Sequence, residues 1–98
     1  MSNPVVDYRS LLEQFLRGEL TAEKFQSMYL DRFKTEQRRL DEPLFELLDG
    51  LFGDVDSFTI DPELLAENPS FYLDENRLRG KVRDVLEELS VLQGNGEM

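Results

Sequence analysis

The apolar residues in the last part of the chain fall on one helical face. Leu78, Val82, Val85, Leu86, Leu89 and Leu92 keep the order i, i+3, i+4, i+7, the spacing that 3.6 residues per turn imposes on a helix with one buried side. Asp74 is suited to cap this helix and Glu75 to follow it, so a helix is expected over about residues 75–92, with GNGE beyond it as a frayed tail. Three further segments repeat the pattern. Tyr8, Leu11, Leu12, Phe15 and Leu16 mark a first helix, which Asn3 can cap, Pro4 can open and Gly18 can end. Thr21 caps a second, with Phe25, Met28, Tyr29, Phe33 and Leu40 on its core side. That helix is expected to continue through the polar residues 34–39, leaving Arg38 and Arg39 as solvated charges favoured by the C-terminal dipole.

Asp41 can cap a third helix, whose broad apolar face comprises Leu44, Phe45, Leu47, Leu48, Leu51 and Phe52. Gly50 and Gly53 weaken its end, so GDVDSFTIDP is expected as a loop, with Asp61 capping a short turn opened by Pro62. The triplets FTI and FYL have strand character but are too short to force a sheet. Phe71 and Tyr72 could pack in the core or touch a partner; the core is expected, as a staple at the start of the last helix. The sequence therefore predicts an all-α fold, an antiparallel four-helix bundle with an acidic loop between the third and fourth helices. At 98 residues it forms one domain, spanning 1–98 and ordered over about 4–92.

Chemistry is sharply limited by residue type. With no Cys and no His, disulfides, thiolate or imidazole metal sites and histidine-based triads are excluded. Carboxylates remain, but DVDSFTIDPE puts Phe58 and Thr59 where a calcium loop needs an acid or Asn and then a Gly. Gly50 and Gly53 match no phosphate-binding loop. No catalytic residue, metal or cofactor is expected, and a carboxylate-only hydrolase is the weakest of the readings. No apolar run approaches the roughly 20 residues of a membrane span and the first residues lack a secretory pattern, so a soluble, cytoplasmic protein is expected.

Net charge is −10, which repels phosphate backbones and anionic lipid, so neither nucleic acid nor membrane is an expected direct partner. From residue 40 to 76 there are eleven acids and no Lys or Arg, whereas outside that stretch eleven bases face ten acids. A solvated, solubilising surface is one use for such a patch. Segregation of the acids from every base removes intramolecular pairing, and several sit where a loop is expected, which favours a basic protein partner.

The segments GLFGDVDSF and FYLDENRLRGKVRDVLEEL resemble the colicin D immunity proteins. The likeness rests on Leu51, Phe52, Asp56, Phe58, Asp61, Tyr72, Leu73, Asp74, Leu78, Val82, Arg83, Val85 and Leu86, and more loosely on Leu12, Phe15, Leu16, the Leu20-Thr21-Ala22 turn and Phe25. It extends over about residues 8–90, with an insertion at about 64–70. The resemblance implies a non-catalytic four-helix bundle that binds and blocks a cognate tRNA-cleaving ribonuclease toxin domain, in a 1:1 heterodimer, its acids replacing RNA phosphates. Related pairs serve contact-dependent growth inhibition. By that resemblance the toxin-contacting acids are Asp56 and Asp61; in the electrostatic mimicry expected from the charge pattern, Asp54 and Glu63 stand beside them, and Glu46 and Asp49 of the preceding helix steer the approach. The alternative from charge alone is an acidic helical adaptor or regulatory subunit bound to another basic protein.

Overall fold

A computed structural model describes residues 4–95, with side chains described through residue 92. The chain is all-helical: α1 (Pro4–Leu16), α2 (Ala22–Lys34), α3 (Glu42–Asp56), α4 (Pro62–Glu67) and α5 (Glu75–Asn95). Among the described residues there are five helices where four are expected, because the turn opened by Pro62 grows into α4. Helix α5 extends past residue 92 to Asn95, so the first half of the GNGE segment is helical, while the Asn3 cap and residues 96–97 lie outside the described residues. Among the described residues no helix is long and apolar enough to cross a membrane.

Local chemistry sets most of the boundaries. Gly18 sits at φ 82°, where the Glu19 N–H reaches the Gln14 carbonyl and the Gly18 N–H the Phe15 carbonyl. This is a Schellman ending for α1, and it needs a residue free of a Cβ. The Thr21 hydroxyl accepts from the Lys24 N–H at 3.1 Å, and the Asp74 carboxylate accepts from the Arg77 N–H at 2.9 Å, each satisfying a donor that its helix leaves unpaired. Asp41 stands at the N-cap of α3 without a side-chain capping bond.

Two helix ends differ from the sequence expectation. Helix α2 stops at Lys34; the Thr35 hydroxyl donates to the Asp31 carbonyl at 2.9 Å, and the chain then turns because Glu36 is held by Tyr8 and Arg38. Conversely, α3 runs through Gly50 and Gly53 to Asp56. Each glycine costs about 1 kcal/mol of helix propensity, but burial of Leu48, Leu51 and Val55 at 0–1% exposure outweighs it. Asp54 and Asp56 are therefore helical, and the connection to α4 is reduced to the short segment 57–61.

The packed pairs are α1 with α5, α5 with α3, α3 with α2 and α2 with α1, so each of the four longer helices has two neighbours around one core. Phe15 and Phe25 stack at 4.4 Å, and Tyr8 meets Tyr29 edge-on at 5.9 Å. The hydroxyl of each buried tyrosine finds an acceptor: Tyr29 donates to the Leu48 carbonyl at 2.7 Å and Tyr8 to the Glu36 carboxylate at 2.8 Å. Burial, more than neighbouring charge, raises the pKa of both phenols. The Arg79 guanidinium lies 4.6 Å from the Phe15 ring centroid, donates to the Phe15 carbonyl at 3.3 Å and pairs with Glu75 at 3.0 Å. It thereby caps α1 from α5.

The strand character of FTI and FYL is spent on a single parallel bridge between Phe58 and Leu73. Phe58 is buried with the core. Phe71, expected there, is 56% exposed; it packs edge-on against half-buried Tyr72 at 4.9 Å.

Candidate functional site

The acids of α3 form one face. At about 100° per residue, Glu42, Glu46, Asp49 and Asp56 fall within roughly 80° of each other, away from the buried row Leu44, Leu48, Leu51 and Val55. Asp54 is turned roughly 160° from Asp56, so these two carboxylates lie on opposite flanks of the helix. Glu42, Glu46, Asp49 and Asp56 are exposed and Asp54 half-buried. Among the described residues none of the five makes a side-chain hydrogen bond or ion pair.

Asp61 and Glu63 open the second part of the site. The Asp61 carboxylate accepts from the Glu63 N–H at 2.9 Å, and its own N–H donates to the Thr59 hydroxyl at 3.1 Å, so Asp61 is both the cap of α4 and an exposed acid. The segment between Asp56 and Asp61 is held from two sides. The Thr59 N–H donates to the Leu73 carbonyl and the Leu73 N–H to the Ser57 carbonyl, both at 3.0 Å. From α2 the Gln26 amide donates to the Val55 carbonyl at 3.0 Å and the Phe58 carbonyl at 3.1 Å. Gln26 thus positions the Asp56–Asp61 segment by satisfying carbonyls at the end of α3. Its place in α2 is readable from the sequence, but its acceptors 29 and 32 residues away are not.

Some carboxylates elsewhere are occupied, Glu36 and Asp7 above all. Glu36, its side chain 8% exposed, accepts from the Arg38 N–H at 3.0 Å, from Arg38 Nε at 2.8 Å and Nη2 at 2.9 Å, and from the Tyr8 hydroxyl. Arg38 Nη1 reaches Asp7 at 2.6 Å. The Arg38 hydrogen bonds hold the Glu36 pKa down to about 2 and raise that of the guanidinium. Arg38 is therefore a tertiary clasp between α1 and the α2–α3 connection, not the solvated dipole partner expected from the sequence. Among the described residues no group of three or more acids is arranged to hold a metal ion.

The outer surface of α3 is also aromatic. Phe45 is 48% exposed, and its ring lies 5.9 Å from that of Phe33, which in turn is 5.4 Å from Phe52. The expected apolar face of α3 is thus split: Leu44, Leu48 and Leu51 enter the core, Leu47 and Phe52 pack partly buried against it, and Phe45 stands exposed beside the acidic row.

Fold and surface together define a helical protein that carries exposed, unpaired carboxylates on a pinned scaffold. The chain belongs to the bacterial self-protective colicin-like immunity family, whose family model matches residues 3–89. Membership makes it an immunity protein, one that neutralises a cognate toxin by binding it. No curated protein and no solved structure matches the chain.

Proposed function

We propose that this immunity protein neutralises a colicin D-like, tRNA-cleaving ribonuclease by covering its basic substrate cleft with acids that stand in for RNA phosphates. The observation that carries the reading is the row Glu46, Asp49, Asp56 followed by Asp61 and Glu63, all exposed and, among the described residues, none paired with a base. A carboxylate with no internal partner keeps its full charge available to an incoming cation, and a row of them speeds association with a basic surface. Asp56 and Asp61 are the central contacts, Asp54 lies on a separate flank, and Glu46 contributes mainly to steering. The packing of the four longer helices supports reading them as a four-helix bundle, with α4 inserted in the last connection. The complex is a 1:1 heterodimer, and no tRNA touches the immunity protein.

The test follows tRNA cleavage by the purified nuclease domain in the presence of the chain. The parent is expected to abolish cleavage at equimolar ratio, and an Asp56→Asn, Asp61→Asn double variant to lose most protection. Asn at 61 keeps the cap on α4, so the change reads charge and not folding. Full protection by the double variant sinks the assignment of these two acids. Failure of the parent to bind this nuclease, together with tight binding to an unrelated basic protein, favours an acidic adaptor.

A further inference from the structure

We infer that the Phe45 ridge of α3 receives an arginine of the toxin, with the guanidinium stacked on the ring and its N–H groups on Glu42 and Asp49; the identity of the partner rests on the function proposed above, the chemistry of the seat does not. Glu42 and Asp49 stand at i−3 and i+4 from Phe45, the two spacings that bring side chains against one another on a helix. Both carboxylates are exposed and unpaired among the described residues. Phe45 borders a surface cleft of about 160 Å³, shared with Phe33, Leu40 and the Glu36–Arg38 pair. The cation already in that cleft is balanced by two carboxylates, Glu36 and Asp7, so Arg38, Glu36, Asp7, Glu42 and Asp49 together remain negative.

A purely apolar occupant would leave Glu42 and Asp49 at the edge of a drying surface without a counter-charge. A lysine supplies the charge, but its ammonium is compact and strongly hydrated. Arginine supplies the charge, a planar face for the ring and several donors, and sheds water more readily. This molecule already contains the same combination: Arg79 lies 4.6 Å from the Phe15 ring while pairing with Glu75 at 3.0 Å.

The experiment has two arms. In the first, the parent is titrated by NMR with a capped di-arginine peptide and, separately, a capped di-lysine peptide. The arginine peptide is expected to move the Phe45 and Phe52 ring signals and the amides of Glu42 and Asp49, and to bind at least about three-fold more tightly than the lysine peptide. Phe45→Ala should erase that preference and Phe45→Trp retain it, with far-UV circular dichroism holding both to the parent fold. Equal binding of the two peptides, or shifts centred on Asp61 and Glu63, overturns the inference. In the second arm Phe45→Ala is expected to weaken binding of the nuclease domain about 10- to 100-fold, the range of an interface anchor; an unchanged affinity overturns it. If the parent does not bind that domain at all, the toxin assignment fails, while the peptide arm still decides the role of Phe45.

Discussion

Glu36 and Asp56 are both carboxylates on a small acidic chain, yet their surroundings are opposite. Glu36 is enclosed by Tyr8 and three donors of Arg38, and its charge is used up in fastening the α2–α3 connection to α1. Asp56 ends α3 in solvent and, among the described residues, pairs with no base. The contrast separates an acid that holds the fold from acids that the fold leaves exposed to solvent. It also explains how so much negative charge is tolerated: exposed carboxylates are hydrated and screened, and repel one another only weakly, while the enclosed one has its cation.

The contrast yields predictions in descending size. Neutralising Asp56 and Asp61 together should cost binding to the nuclease domain on the order of 2 to 5 kcal/mol, read by calorimetric titration, and leave the melting temperature within a few degrees of the parent. Arg38→Ala should do the reverse. It leaves Glu36 enclosed without its cation, at a cost of about 2 kcal/mol and a fall in Tm of roughly 10 °C, with binding little changed. A large loss of binding in Arg38→Ala would break the division between the two regions.

Acid titration sharpens the same contrast. Because the folded-state pKa of Glu36 lies near 2, below the usual carboxylate value of 4.5, its contribution is fully present above about pH 5. It is lost as pH falls from there through 2, where the native state must take up the proton that the unfolded chain already holds. Solvent reaches Arg38 and Asp7, so this contribution is about 1 to 2 kcal/mol. Glu36→Gln should flatten that part of the stability–pH curve, and an unchanged slope would contradict the clasp. The smallest effect concerns the α3 glycines. An added Cβ at Gly50 or Gly53 meets nothing within 4 Å, so either Gly→Ala change should stabilise the fold by about 0.5 to 1 kcal/mol, measured by urea denaturation.

What the sequence made legible follows the range of the forces involved. The starts at Thr21, Asp61 and Asp74 and the turn at Gly18 depend on partners two to five residues apart, and are readable from residue type. The end of α2 is not, since it depends on Glu36 meeting Tyr8, 28 residues earlier. Nor is the persistence of α3, because Gly50 and Gly53 argue locally for a break and only the buried Leu51 and Val55 argue against it. The acids at 46, 49, 54, 56, 61 and 63 could be chosen from charge and resemblance. That Asp54 faces away from Asp56, and that Phe45 stands between Glu42 and Asp49, required knowing that this stretch is helix and not loop.

The central claim is that the unpaired acids of α3 and α4 are the binding charge. It is tested most directly by the association rate of the nuclease domain with the parent and with a Glu46→Gln, Asp49→Asn, Asp56→Asn, Asp61→Asn variant, measured across increasing salt. The parent is predicted to associate fast at low salt and to slow steeply as salt rises, whereas the variant should be slow throughout and nearly insensitive to salt. Equal rates and equal salt slopes for the two proteins would contradict the claim.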